Sequence, residues 1–314
     1  MAEPTAAARI AGAPISWGVS EVPGWGYQMP LGTVLAQMRE AGLAATEFGP
    51  DGFLPDAPRD KAAALTEHGL AAVGGFVPVV LHESGHDPRP EVDRAIDGFL
   101  AAGADNLVLA AATGTDGYDA RPELDAGQWA VLLRRLDELA AHAAERGVTA
   151  SLHPHVGTVV EQRGEVDRVL DGSAVPLCLD TGHLLVGGAD PRDLSRSAVD
   201  RIAHTHLKDV DGALAERVVA GEVPFGEAVS QGLFQPLGAG DVDVAGILAD
   251  LSAAGYAGWY VLEQDIRLAG APDDEGGPLA DVRASVAFLR DRLAPAPAGG
   301  RAAQARDHAV TGGE

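Results

Sequence analysis

Basic residues are scarce in this chain. Its 314 residues include 23 Lys and Arg against 46 Asp and Glu, a formal net charge of −23. A surface this acidic repels the phosphates of nucleic acids and anionic membranes, so neither is an expected partner. Cysteine occurs once, at Cys178. That excludes an intrachain disulfide and fits a cytoplasmic protein. No run of about 18 apolar residues exists, so no membrane-spanning helix is expected. Residues 1–9 lack a basic segment followed by a long apolar run, so no signal peptide is expected either. Aromatic residues make up only 5%. Hydrophobic residues nonetheless reach 46% and Gly alone numbers 40, which points to a large core packed from small side chains.

What is present is a repeated unit: a polar, alanine-rich helix end, a glycine, then a short apolar run. It recurs at 39–47, 67–73, 101–109, 144–152 and 253–263. A glycine just past a helix takes the left-handed conformation at little steric cost, and the run that follows has strand length. Leu132, Leu136, Leu139 and Ala143 share one helical face, as do Val282, Val286 and Leu289. Helices alternating with apolar strands mean a parallel sheet covered by helices. Strands are expected near 9–15, 43–48, 71–77, 105–111, 148–153, 175–180, 202–207 and 258–263. Eight such strands suggest a single (β/α)8 barrel over residues 1–293, a fold that usually needs about 250 residues. A doubly wound open sheet would carry a glycine-rich phosphate turn after its first strand, and the segment Ala13–Gly18 is not one. Two long loops, Trp17–Met29 and Val210–Gly240, follow the first and seventh strands, where barrel insertions shape active sites. Residues 294–314 read as a disordered tail.

Ionisable residues collect at the strand ends. Glu47 ends the second strand, His153 and His155 the fifth, Asp180 and His183 the sixth, His204, His206, Lys208 and Asp209 the seventh, and Glu263 and Asp265 the eighth. A lone strand-end histidine is commonly a hydrogen-bonded structural residue, and Asp180 alone suits a helix cap. Four adjacent strands ending this way point instead to a shared cation. His153, Asp180, His206 and Glu263 give one ligand each from strands five to eight. Imidazole and carboxylate suit Mn²⁺ or Co²⁺, with Mg²⁺ and Zn²⁺ as alternatives. His68, His82, His86 and His142 fall on helix ends or loops and are expected to be solvated.

The runs Leu179–His183, His204–Asp209 and Trp259–Glu263 together resemble the xylose-isomerase-like sugar isomerase/epimerase superfamily. Ala13–Trp17, Leu152–Val160 and Gly232–Asp241 further resemble its inosose dehydratase branch. The resemblance runs from about residue 8 to 292. It implies a metal held by a Glu, an Asp, a His and a Glu from strands five to eight. Asp180, His206 and Glu263 match the last three; His153 stands at the first, with His155 or Glu161 as alternatives. It also implies a dehydratase of inositol catabolism acting on a cyclic polyol ketone. Lys208, His155, His183 and Glu47 are then the candidates for proton transfer, with a Lys208 pKa lowered by the metal's charge. Trp17, Thr158, Asp209 and Glu161 are candidate substrate contacts, Trp17 as an apolar wall. Homo-oligomerisation is left open. Rival readings are an isomerase or epimerase using the same metal, an endonuclease, which the acidic charge disfavours, and a non-catalytic sugar-binding barrel.

Overall fold

The computed structural model describes residues 9–115, 117–118, 120–272 and 277–293; the segment expected to form a disordered tail lies outside them. The strands are β1 (Ile10–Gly12), β2 (Ala45–Thr46), β3 (Ala71–Ala72), β4 (Gly74–Val79), β5 (Asn106–Ala111), β6 (Thr149–Leu152), β7 (Leu177–Asp180), β8 (Ile202–Leu207), β9 (Asp209–Val210), β10 (Phe234–Gln235) and β11 (Tyr260–Leu262). The helices are α1 (Leu31–Glu40), α2 (Pro58–Glu67), α3 (Arg89–Ala101), α4 (Ala126–Glu145), α5 (Arg163–Gly172), α6 (Thr181–Val186), α7 (Pro191–Ser197), α8 (Gly212–Val219), α9 (Phe225–Ser230), α10 (Val244–Ala253) and α11 (Pro278–Leu293).

Nine parallel strands run in the order β3-β2-β1-β11-β8-β7-β6-β5-β4. The two outer strands, β3 and β4, are consecutive in the chain and form one stave. Val73, between them, donates to Thr46 O and accepts from Asn106 N, while Gly74 O accepts from Phe48 N. The stave is thus stitched to β2 on one side and β5 on the other, and the sheet closes as a single TIM barrel of eight staves. Closure depends on Gly74. Its φ is +144°, and a Cβ there would sit 1.8 Å from the carbonyl oxygen of Asn106.

The glycines of the repeated unit behave as their positions require. Gly42, Gly69, Gly103, Gly147 and Gly255 all have φ between +66° and +85°, which ends each helix and turns the chain into the next stave. α4 starts with an Asp125 capping box closed by Gln128 and buries Leu132, Leu136, Leu139 and Ala143; α11 buries Val282, Val286 and Leu289. Several staves are shorter than the apolar runs suggested. The first ends at Gly12 because Pro14, which has no N–H to give to a sheet, opens a 3-10 turn over Pro14–Trp17.

The inside of the barrel is uneven. One side is filled by Ala11, Ala13, Ala45, Val73 and Val261; the other carries His153, Asp180, His204 and His206, all buried. The insertion after β8 folds on itself. β9 and β10 pair antiparallel, and α8 and α9 supply Leu214, Phe225 and Val229 to an apolar cluster with Trp25, Val156 and Phe234. Among the described residues no helix is long and apolar enough to cross a membrane.

Gly74→Ala is expected to unfold the barrel or lower its stability by about 3 kcal/mol or more, because strain and backbone overlap coincide. Gly103→Ala has positive φ but open space around the added methyl, so it should cost only about 1 kcal/mol. Urea unfolding midpoints of the two variants check this; equal losses would mean that closure does not hinge on Gly74.

Candidate functional site

Side chains two residues apart on a strand point to the same face, so His204 and His206 both enter the barrel from β8. Cys178 and Asp180 do the same from β7, and the two strands pair Cys178 with His204 and Asp180 with His206. His153 follows β6, and Glu263 follows β11. The four residues His153, Asp180, His206 and Glu263 bring one donor atom each to within 4.8 Å of one another. His153 Nε2 lies 3.1 Å from Asp180 Oδ2 and 3.1 Å from His206 Nδ1. His206 Nδ1 lies 3.2 Å from Glu263 Oε2.

Glu47 reaches across from the end of β2. Its Oε1 accepts from His204 Nε2 at 2.8 Å and from His206 Nε2 at 3.0 Å. With a proton fixed on Nε2, Nδ1 of His206 faces His153 Nε2 and two carboxylates. A divalent ion satisfies all four at once, and two imidazole nitrogens with two carboxylate oxygens suit a first-row divalent metal. The four residues thus form a possible divalent metal site. The alternatives do not join it: Glu161 accepts from Gly157 N and pairs with Arg121, and His155 Nδ1 sits 2.7 Å from Val156 O.

Lys208 is buried between carboxylates. Its Nζ is 2.5 Å from Glu263 Oε2, 2.6 Å from Asp265 Oδ1 and 3.6 Å from Asp180 Oδ2. Burial opposes its charge, but Asp265, Glu263 and Asp180 outweigh burial and hold its pKa well above the usual lysine value. The carboxylates thus oppose the lowering expected from a metal's charge. The three carboxylates hold the ammonium protonated, so Lys208 is a proton holder and not a ready base. The same balance acts on its partners. Burial raises the carboxyl pKa values of Asp180 and Asp265, yet Lys208 above all keeps both below the ordinary range. For His206, burial is overcome by Glu263 and Glu47, which hold the imidazole well above its ordinary pKa.

His155 has the opposite character. Burial, then the neighbouring His183 and His153, pull its pKa well below the ordinary value. Its Nδ1–H donates to the Val156 carbonyl, which leaves Nε2 as the free lone pair. His183 lies against it, with ring centroids 3.7 Å apart, and places Nε2 3.4 Å from Asp265 Oδ2.

A cavity of about 990 Å³ opens onto this cluster. Glu47, His153, His155, His206, Lys208, Glu263 and Asp265 line it together with Ile15, Trp25, Phe48, Phe76 and Tyr118. The structure does not bring Trp17, Thr158, Asp209 or Glu161 to that wall. Trp17 is wholly buried and donates to Gln37. Thr158 bonds the carbonyls of His155 and Val160. Asp209 accepts from the backbone N–H of Val210, Gly238, Gly240 and Val242. The apolar wall is made by Phe76, Tyr118 and Trp25 instead. Sequence reasoning placed Asp265 and His204 at strand ends but assigned them no role. The i, i+2 spacing of His204 and His206 was the available signal. Among the histidines expected to be solvated, His82 is buried and His142 bonds Asp93.

Residues 35–292 match the family model described as xylose isomerase-like TIM barrel. The rhizopine catabolism protein MocC of Rhizobium meliloti is 35% identical over 269 residues, covering 82% of this chain and 81% of that protein. The inosose dehydratase of Geobacillus kaustophilus is 32% identical over 275 residues, covering 82% and 87%. Among solved structures, the IolI protein with a bound zinc atom superimposes with a TM-score of 0.66 at 14% identity, covering 91% of this chain and 98% of that one.

Cys178 lies fully buried directly beneath Asp180. Burial, then the negative charges of Asp180, Glu47 and Glu263, push its thiol pKa well above the ordinary value. A thiol reagent is therefore expected to leave the native protein unmodified for hours at pH 8 and to label the single cysteine in guanidinium. Labelling in the native state within minutes would contradict this burial.

Proposed function

The chain belongs to the xylose isomerase-like TIM barrel family, and from that premise we propose that it is a metal-dependent dehydratase of an inosose-type cyclic polyol ketone. The observation that carries the reading is the pairing, on one cavity wall, of a neutral imidazole at His155 with a protonated amine at Lys208, both beside a four-donor cluster. Loss of water from a β-hydroxy ketone needs these two opposite capacities: a base for the α-proton and an acid for the departing hydroxyl. The curated relatives named inosose dehydratase, such as that of Geobacillus kaustophilus, supply the substrate class.

His153, Asp180, His206 and Glu263 would hold the divalent ion. When bound, it supplies Lewis acidity to the ketone oxygen, which makes the adjacent C–H more acidic. His155 then takes the α-proton at Nε2, while its Nδ1–H stays on Val156 O at 2.7 Å. Lys208 gives a proton to the β-hydroxyl, which leaves as water, and a carbon–carbon double bond forms between the two carbons. The resulting enol tautomerises to a dione. Asp265 touches both Lys208 and His183 and links the lysine to the histidine packed against His155. Phe76 and Tyr118, beside His155, offer the apolar edge against which the C–H face of a polyol ring lies.

Metal-stripped protein supplied with Mn²⁺ or Co²⁺ and 2-keto-myo-inositol should release one water per substrate, seen by mass and by dione absorbance, and should do so only with metal present. Exchange of the α-proton with solvent without loss of water would overturn the dehydratase reading in favour of an epimerase or isomerase. In the same assay Lys208→Met and His155→Ala should each lower turnover by about 10² to 10⁴-fold. Wild-type turnover in both would remove them from the proton transfers.

A further inference from the structure

We propose that Glu47 is a positioning residue for His206, one of the four possible metal ligands, and that His204 holds Glu47 in place for that task. The inference rests on the metal reading above and adds to it the group that makes His206 a ligand.

A histidine can bind a cation through only one ring nitrogen at a time, and its other nitrogen decides which tautomer and which ring rotation are available. His206 has its Nε2 on Glu47 Oε1 at 3.0 Å and its Nδ1 directed at the donor cluster. The carboxylate accepts but does not donate, so it keeps a proton on Nε2 and makes Nδ1 the nitrogen that a cation can take once it displaces the Nδ1 proton. His153 provides the internal contrast. Its Nε2 faces the same cluster, but its buried Nδ1 has no hydrogen-bond partner among the described residues. One of the two imidazole donors is therefore fixed from behind and the other is not.

Glu47 is itself fixed. It is buried, and its backbone N–H is tied to Gly12 O at 2.9 Å in the neighbouring stave. The same Oε1 that serves His206 also accepts from His204 Nε2 at 2.8 Å. His204 lies two residues earlier on β8 and packs edge-on to His206, with ring centroids 5.3 Å apart and planes at 76°. Loss of either bond leaves Glu47 freer to turn and its remaining partner less constrained. A carboxylate behind a ligating imidazole also raises the basicity of the ligating nitrogen, and losing such a partner costs about 10–100-fold in metal affinity.

The test is a competition titration of metal-stripped protein with Co²⁺ against a chelating dye, with the visible spectrum of bound Co²⁺ as a second readout. The wild type should bind one ion per chain. Glu47→Gln, which keeps shape but loses charge, should bind about tenfold more weakly with an altered Co²⁺ spectrum, and Glu47→Asp should recover part of the loss. His204→Gln, which keeps Glu47 but removes one of its two donors, should weaken binding less than Glu47→Gln does. It also serves as the test should Glu47→Gln not fold, as judged by circular dichroism. Wild-type affinity and spectrum in both Glu47→Gln and His204→Gln would overturn the assignment while leaving the metal site intact. Two ions in the wild type and one in Glu47→Gln would also overturn it, because Glu47 would then be a ligand. A wild type that takes up no Co²⁺ would overturn the metal reading and this inference together.

Discussion

Charge neutralisation at the barrel mouth governs this structure. Glu47, Asp180, Glu263 and Asp265 converge at largely buried positions, and an unpaired carboxylate there would cost several kcal/mol. The protein answers with a lysine and an imidazole, each placed between acids. Lys208 lies among Asp180, Glu263 and Asp265, and His206 lies between Glu47 and Glu263. These groups stand on or just after four staves, Glu47 at β2, Asp180 at β7, His206 and Lys208 at β8, and Glu263 and Asp265 at β11, so the barrel's closure is what brings the opposite charges together. Gly182 shows how tightly: a Cβ there would fall 2.6 Å from Lys208 Cβ and 2.8 Å from the Phe234 ring. The room in which the lysine lies exists because that position has no side chain.

The chain's shortage of basic residues gains meaning against this background. Much of the basic side chain that lies inside is tied to backbone carbonyls at loop ends. Arg135 serves the carbonyls of Leu81, Glu83, Ser84 and His86, and Arg201 those of Leu170, Ser173 and Val175. Among the described lysines and arginines, Lys208 is the one that enters the cluster itself. Its role as a held proton follows from that isolation: three acids share one ammonium, and each lowers the energy of its charged form.

The fold was legible because its signals are local and repeated. Five helix-end glycines, each followed by an apolar run, mark five turns of the barrel, and each adopts the positive φ its position demands. The division of the third stave at Gly74 was not legible, since it arises from a backbone approach to Asn106, 32 residues downstream. The same distinction holds at the site. The four possible ligands could be named because each follows an apolar strand, and strand ends in a barrel point to one rim. The protonation of Lys208 could not be read, because it is set by Asp265 and Glu263, more than fifty residues away in sequence. Trp17 was placed on the cavity by its position after the first strand, but the Pro14 turn directs it into the core against Gln37. Tyr118 and Phe76 took that role from parts of the chain with no distinguishing motif.

The insertion after β8 leaves and returns at nearly one point. Asp209 opens it, and the carboxylate of Asp209 accepts from the N–H groups of Gly238, Gly240 and Val242 where it closes. Between those ends the segment has helices and an antiparallel ribbon of its own. Such an excursion behaves as a cassette. Beyond its two fixed ends it touches the barrel through Phe225 and Phe234, which pack on His183, and the entropy of closing a loop grows slowly with its length. The exposed turn Ala220–Glu222 between α8 and α9 can thus be lengthened or exchanged with little effect on the staves. The segment packed behind Lys208 and His183 can diversify at that turn while the charged cluster it supports stays the same.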